Sequence, residues 1–508
     1  MQKQTPSMLP LRPSRRWFLL LLVPAAVLPV TAAILPQSSE IAAVSAAAMA
    51  AYVSFALCAA CVLGMRPCLK VEQIFLLLAV GLGLSYFFAI TPLSVPDEMT
   101  HHRITLRIAA RLLGRGSVVD AAYVDYTGMV SHHNAASAML RLVNGLFTEG
   151  LSGQTADLGA ALGTSYPPAY APQALAACLC LLLGLNGLWV FVLGSLMNLA
   201  LYVTLTYLAI RRMPRGKTVL MLTALLPMSL QQAASLSPDA FINGLAFLFI
   251  AQALSSALAK GPITRQEMLR LAAAGLLLAP AKAVYSVLLL LLLLIPSSRF
   301  SGRGRRALFI GLTLLLAAAA VIAFQMSWLL HQATRQASAL RRGAPRLYTL
   351  SWLLRHPLDA LGLMVKTLVR EDAAFYLETC VGSRLSGLTL NVPHTCVMAL
   401  LFLGLLAALG GQPEEAPLPR SFRLAFLGVT ALTLFAVMAS MLVSWTGNRD
   451  LTVQGVQGRY FLPVAPLALL CLRGGSYCVR RDMTRAYAVG FLLIHALILG
   501  KIYLLLCA

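Results

Sequence analysis

Residues 73–113 read QIFLLLAVGLGLSYFFAITPLSVPDEMTHHRITLRIAARLL. The run 73–91 is apolar and close to the roughly 20 residues that cross a bilayer as a helix. Two acids and two histidines follow at once, Asp97, Glu98, His101 and His102, in a chain with 18 acids against 40 lysines and arginines. An apolar run that ends in a dense polar cluster predicts a membrane helix delivering a functional group to the membrane edge.

The rest of the chain agrees with a membrane setting. Of its 508 residues 59% are hydrophobic and 11% charged, with a mean hydropathy of +0.79. Soluble domains carry about 25% charged residues. Apolar segments recur near 17–35, 41–64, 168–184, 187–210, 218–233, 238–258, 268–296, 307–326, 393–410, 424–445, 459–473 and 486–506. The fold class expected is all-α: a polytopic transmembrane protein of about 11–13 spans, with two long external loops, 92–167 and 327–392, carrying short interfacial helices. Helices satisfy their own backbone groups in lipid, which is why they are the expected element. The net charge of +22 lies mostly in short loops between apolar runs. It therefore reads as an orientation signal and not as a nucleic-acid footprint.

Lys3, Arg12, Arg15 and Arg16 put the N-terminus in the cytoplasm, with a retained first helix over Trp17–Leu35. Arg66 and Lys70, then SSRFSGRGRR (297–306), mark further cytoplasmic loops, and the stretch from 92 is external. RRMPRGK (211–217) conflicts with two full crossings at 168–184 and 187–210. Either one segment is re-entrant or the loop breaks the rule. Pro280 and Lys282 break the segment 268–296, giving one kinked helix or two short ones. CAAC (58–61) reads as small core residues. Cys380 and Cys396 flank a polar loop and are either a disulfide or two free thiols.

Four places have the residues for chemistry. Asp97 after Pro96 fits an N-cap, its carboxylate accepting backbone N–H groups. Asp97 and His101 share one face of the helix that follows, and Glu98 and His102 the next. Arg103, Arg107 and Arg111 form a basic stripe beside Ile104, Ile108 and Leu112, the pattern of a helix lying on the membrane surface. Glu98 and His101 are a candidate divalent-metal pair, and Asp97 a candidate base. LPMSLQQAASLSPDAFINGLAF (226–247) sets Asp239 among apolar residues, as a helix cap or a functional carboxylate. Lys282 and Tyr285 lie in APAKAVYS, where the lysine snorkels or finds an anion. Arg459 and Tyr460 in GVQGRYFLPVAPL fit a phosphate clamp or an interfacial anchor.

PDEMTHHR, the Asp239 stretch, LAPAKAVYS and GVQGRYFLP, in this order, resemble a bacterial family of unknown function, domain family 2142, over roughly Pro96 to Pro466. That family resembles the C-type (GT-C) glycosyltransferases, multi-span enzymes that use polyprenyl-phosphate-linked sugars. The resemblance implies a GT-C-like module over 73–326, between N-terminal helices 1–72 and the second external loop 327–392, with C-terminal helices over 393–508. It implies Asp97 as general base, with Glu98 and His101 beside it. It implies Lys282 and Arg459 as holders of the lipid phosphate and Asp239 as a second acid at the rim, and Arg103, Tyr285 and Tyr460 join Asp239, Lys282 and Arg459 as candidate substrate- or phosphate-binding residues. The expected partners are membrane lipid, a polyprenyl-phosphate sugar donor and a glycan or lipid acceptor. The expected location is the bacterial inner membrane, with the active site on the external, periplasmic face. TCVGSRLSGLTLNVPH (379–394) departs from the acidic pattern expected before the next helix. The rival readings are a flippase for a lipid-linked glycan and a non-catalytic envelope-assembly protein.

Overall fold

A computed structural model describes residues 40–66, 68–115, 135–147, 166–341, 347–370, 373–387, 390–410, 416–474 and 482–507. The expected helix over 17–35 lies outside the described residues. Among the described residues, regular structure is helical except for one antiparallel pair, β1 (Arg384–Leu385) with β2 (Leu390–Asn391). Among them seven helices are long and apolar enough to cross a membrane, with four shorter apolar helices. The protein is all-α and polytopic.

The two ends of the bundle differ in charge. α1 (Glu40–Met65) and α2 (Val71–Ala89) meet at Arg66 and Lys70. α2 then carries the chain to the opposite end, where α3 (Glu98–Leu112) and α4 (Ala135–Gly145) lie. At the basic end Lys217 pairs with Glu72 at 3.5 Å, and Arg215 donates to the Pro417 carbonyl at 2.8 Å.

The conflict at RRMPRGK disappears in the next two helices. α5 (Ala171–Leu183) starts beside α3, where Tyr170 bonds His101. It ends at the turn of Asn186, whose amide donates to Gly145 of α4. Both its ends therefore stay at the end that holds α3 and α4. Only α6 (Gly187–Arg212), capped by the Asn186 side chain, returns the chain to the basic end. Residues 168–184 and 187–210 make one crossing between them.

The segment 218–233 is two helices, α7 (Lys217–Ala224) and α8 (Pro227–Ala233). Pro227 has no N–H to extend the ladder. The Leu225 carbonyl left at the break bonds His495 Nε2 at 2.9 Å, and the ring's Nδ1 meets Tyr86 Oη at 2.9 Å. α9 (Asp239–Leu258) is the most enclosed span, 89% of its apolar window being buried. After it, 268–296 folds as a hairpin. α10 (Arg265–Ala281) climbs from the basic end, and a 3-10 helix, Ala283–Leu294, goes back down. Gly275 and Leu289 face each other across it, and Lys282 is its tip.

α11 (Arg303–Arg341) climbs again, and its Gln325 donates to the Pro280 carbonyl. α12 (Leu350–Arg355), α13 (Pro357–Arg370) and α14 (Ala373–Val381) are the short helices of the second loop. α15 (His394–Gly410), α16 (Arg420–Trp445), the 3-10 helix Gly458–Val464 with α17 (Ala465–Leu470), and α18 (Thr484–Cys507) complete the bundle. Cys380 and Cys396 are buried free thiols, so the disulfide reading is set aside, and Cys58 and Cys61 are also free.

Candidate functional site

The four sequence candidates converge at the end of the bundle opposite the basic turns. Lys282, at its hairpin tip, donates to Asp239 Oδ1 at 2.7 Å. Its ammonium also lies 4.8 Å from the Tyr460 ring centroid, a cation–π distance. Arg459 lies 3.3 Å from Asp97 Oδ2, and its Cζ is 5.2 Å from the same ring. One tyrosine is thus flanked by both cations, and each cation faces one carboxylate. His101 interacts electrostatically with Asp239, Asp97, Arg459 and Lys282, so it belongs to the same cluster.

Asp97 stands at the N-cap position but does not cap the helix. Its side chain makes no cap hydrogen bond, and its φ of 65° is left-handed. A non-glycine residue in that region carries strain, which persists where the surroundings impose it and clusters at functional sites. The carboxylate turns to Arg459, and its side chain is 64% exposed. Asp239 differs. Its side chain is 10% exposed, and its second oxygen accepts from Gln232 Nε2 at 3.1 Å. Gln232 in turn accepts from Asn243 Nδ2 at 2.9 Å. Asp239 is therefore fixed and Asp97 accessible.

Glu98 points away from this cluster, which corrects its pairing with His102 and with a metal. Its two oxygens accept the backbone N–H groups of Leu236 (3.0 Å) and Val95 (3.3 Å). It ties the loop before α3 to the loop before α9. Burial pushes its carboxyl up to about 7, against the lowering effect of those N–H groups. His101 Nδ1 is engaged with Tyr170 Oη at 2.8 Å. Among the described residues no group of three or more His, Cys, Asp or Glu side chains converges as metal ligands would, so the residues present do not fit the Glu98–His101 metal site. Burial lowers both His101 and His102 to about 4, leaving them neutral near pH 7. His102 is a core histidine, bonded to the Gly187 carbonyl at 3.0 Å.

α3 is a helix as expected, but its apolar stripe does not lie on lipid. Ile104 and Ile108 are buried in the protein, and Leu112 alone of the stripe is exposed. Arg103 is exposed, about 200° around the helix from His101, and the fold does not bring it to the cluster. Tyr285 supports the site from behind, its hydroxyl donating to the Tyr460 carbonyl at 3.0 Å.

Three contributions were not read from the sequence. Tyr170, in YPPAY (166–170), stands beside two prolines that signal only a helix start. Gly458 is needed for close approach, since a Cβ there would collide with the Tyr376 carbonyl oxygen and the Cys380 nitrogen of α14. The departing stretch 379–394 forms the β-hairpin, which docks on the site's other loops. Ser386 Oγ meets Ser94 Oγ at 2.6 Å, and Ser386 N donates to Gln231 Oε1 at 2.8 Å.

No curated protein and no solved structure matches the chain. The profile of a family described as "Predicted membrane protein (DUF2142)" matches residues 80–468, from within α2 to α17, and so includes every residue of the cluster. The chain belongs to this DUF2142 family of predicted membrane proteins.

Proposed function

We propose that the protein is an integral-membrane glycosyltransferase of the GT-C kind. It moves a sugar from a polyprenyl-phosphate donor to a cell-envelope glycan or lipid at the external face of the bacterial inner membrane. The observation that carries this reading is the meeting of Asp97, Asp239, Lys282 and Arg459, from four separate segments, in one charge-balanced cluster. Orientation rests on charge. The basic turns at 66–70, 211–217 and 297–306 lie at the opposite end of the bundle, which the positive-inside rule assigns to the cytoplasm. Polar groups concentrated at one end also suit chemistry at a membrane edge better than passage through the span.

Asp97, the exposed carboxylate, takes the proton of the acceptor hydroxyl as that oxygen bonds the anomeric carbon. The bond from the anomeric carbon to the phosphate oxygen breaks, and its electron pair leaves with polyprenyl phosphate. Lys282, whose side chain is 35% exposed and held by Asp239, meets that phosphate. Arg459 orients Asp97 and adds positive charge, and neutral His101 serves as a hydrogen-bond partner.

The test is sugar transfer by the purified full-length protein in lipid, supplied with polyprenyl-phosphate sugars. Asp97→Asn is expected to lower the rate by roughly 10²–10⁴-fold. Undiminished transfer by this variant removes Asp97 from the base role. Movement of intact labelled donor across the bilayer without bond cleavage replaces the enzyme reading with transport.

A further inference from the structure

The second outer loop contains a surface that the proposed reaction does not use. α13 is apolar on two opposite faces. Ala360, Met364 and Thr367 are buried, in or beside a cluster that holds Met438 and Leu442 of α16. On the far side Leu358, Leu361, Val365 and Val369 are 80%, 44%, 46% and 78% exposed, and Leu354 of α12 is 72% exposed. The four on α13, at spacings of three, four and four, make one continuous stripe, and Leu354 precedes it on α12. A soluble protein rarely leaves such a stripe in water.

Depth and charge indicate what covers it. α16 starts at the basic end with Arg420. Met438 and Leu442 come 18 and 22 residues later (438 − 420 and 442 − 420), which is about 27 and 33 Å along the helix. A hydrocarbon core is about 30 Å thick, so α13 crosses α16 at the outer boundary of the core. Trp445, 66% exposed at the end of α16, has the position of an interfacial aromatic. Along the side of α13, between its two apolar faces, lie Lys366 and Arg370, with Arg355 at the end of α12. Asp359 is the one acid over Leu350–Arg370, and it pairs with His356 at 3.4 Å. Glu371 and Asp372 follow in the sequence, outside the described residues.

We propose that α12 and α13 form a docking surface for anionic phospholipid of the outer leaflet. The leucine and valine stripe enters the acyl boundary, and Arg355, Lys366 and Arg370 meet headgroup phosphates. The surface is linked to the candidate site. Thr367 Oγ1 accepts from Val453 N at 2.8 Å, and α14, directly after α13, packs on Gly458 beside Arg459. The proposal does not depend on which reaction the site performs.

The experiment uses full-length protein in nanodiscs of phosphatidylcholine with or without phosphatidylglycerol. A spin label is placed at Leu358→Cys or Val369→Cys, and the native-cysteine signal of the unsubstituted protein is subtracted. Both labels are expected to collide with lipid-dissolved oxygen and to be shielded from a water-soluble nickel chelate. Free access of the chelate overturns the proposal, as does shielding from both probes, which means cover by protein or by a second copy. Enrichment of phosphatidylglycerol around the label should fall by roughly fivefold for each of Arg355→Gln, Lys366→Gln and Arg370→Gln. Unchanged enrichment in the triple variant overturns the headgroup assignment.

Discussion

Two arginines at opposite ends of the bundle are equally buried, with side chains 5% exposed, and do different things. Arg299, at the basic end, is saturated by the protein. It donates to the carbonyls of Gly261, Ser256 and Pro262 and faces Glu267 at 3.4 Å. Among the described residues, Arg459 hydrogen-bonds only the exposed Asp97 and the Tyr460 hydroxyl. Its Nε finds no hydrogen-bond partner among the described residues. Burying a cation costs free energy that hydrogen bonds must offset. Arg299 offsets it with three carbonyl bonds and Glu267 and acts as a staple, whereas Arg459 has a buried Nε that no described residue takes up. Burial therefore does not separate the two roles, and saturation does.

The strongest test of this contrast replaces each arginine by methionine. Arg459→Met should lower sugar transfer by roughly 10²–10³-fold with a small change in Tm. Arg299→Met should leave transfer per folded molecule near the parent value and destabilise the protein by about 3–5 kcal/mol. A matched loss of Tm in both would erase the distinction. Next in size, Gly458→Ala should cut transfer by at least about tenfold, since α14 must yield to the new methyl and Arg459 moves with it. Rates and thermal melts on one preparation decide whether the loss lies in the site or in the fold.

Glu98→Gln sharpens the contrast on the acidic side. Glu98 titrates near 7 in the fold against an ordinary value of 4.5. The native state therefore holds its proton longer than the unfolded chain does. This contribution is complete below about pH 4.5 and is lost as pH rises through about 7. The shift corresponds to at most about 3 kcal/mol. Tm of the parent relative to Glu98→Gln should fall between pH 5 and 8. A constant difference would show that folding does not shift the Glu98 titration. The smallest effect belongs to Arg103→Ala, which should leave transfer within about twofold, because the exposed guanidinium lies away from the cluster.

The same contrast shows how far residues could be read in order. Hydropathy is local, so the helical class and the break at Pro280–Lys282 were legible. Asp97, Asp239, Lys282 and Arg459 stood out because charge in apolar sequence is costly. The identical local rule misplaced Glu98 and Arg103. Adjacent residues on a helix point about 100° apart, and Glu98 turns to the backbone N–H of Leu236, 138 positions away. The parity conflict at 211–217 was visible in the sequence but its resolution was not, since α5 is apolar without crossing.

The sequence by itself determined a multi-span helical membrane protein, because each run of apolar residues must satisfy its own backbone in lipid. It also determined which rare charges sit near membrane edges. Tertiary structure alone decided that four of these charges meet, that Asp97 faces Arg459 and not its own helix, and that Glu98 is a strut. Partnership between side chains hundreds of residues apart depends on which helix faces touch, and no local pattern encodes that.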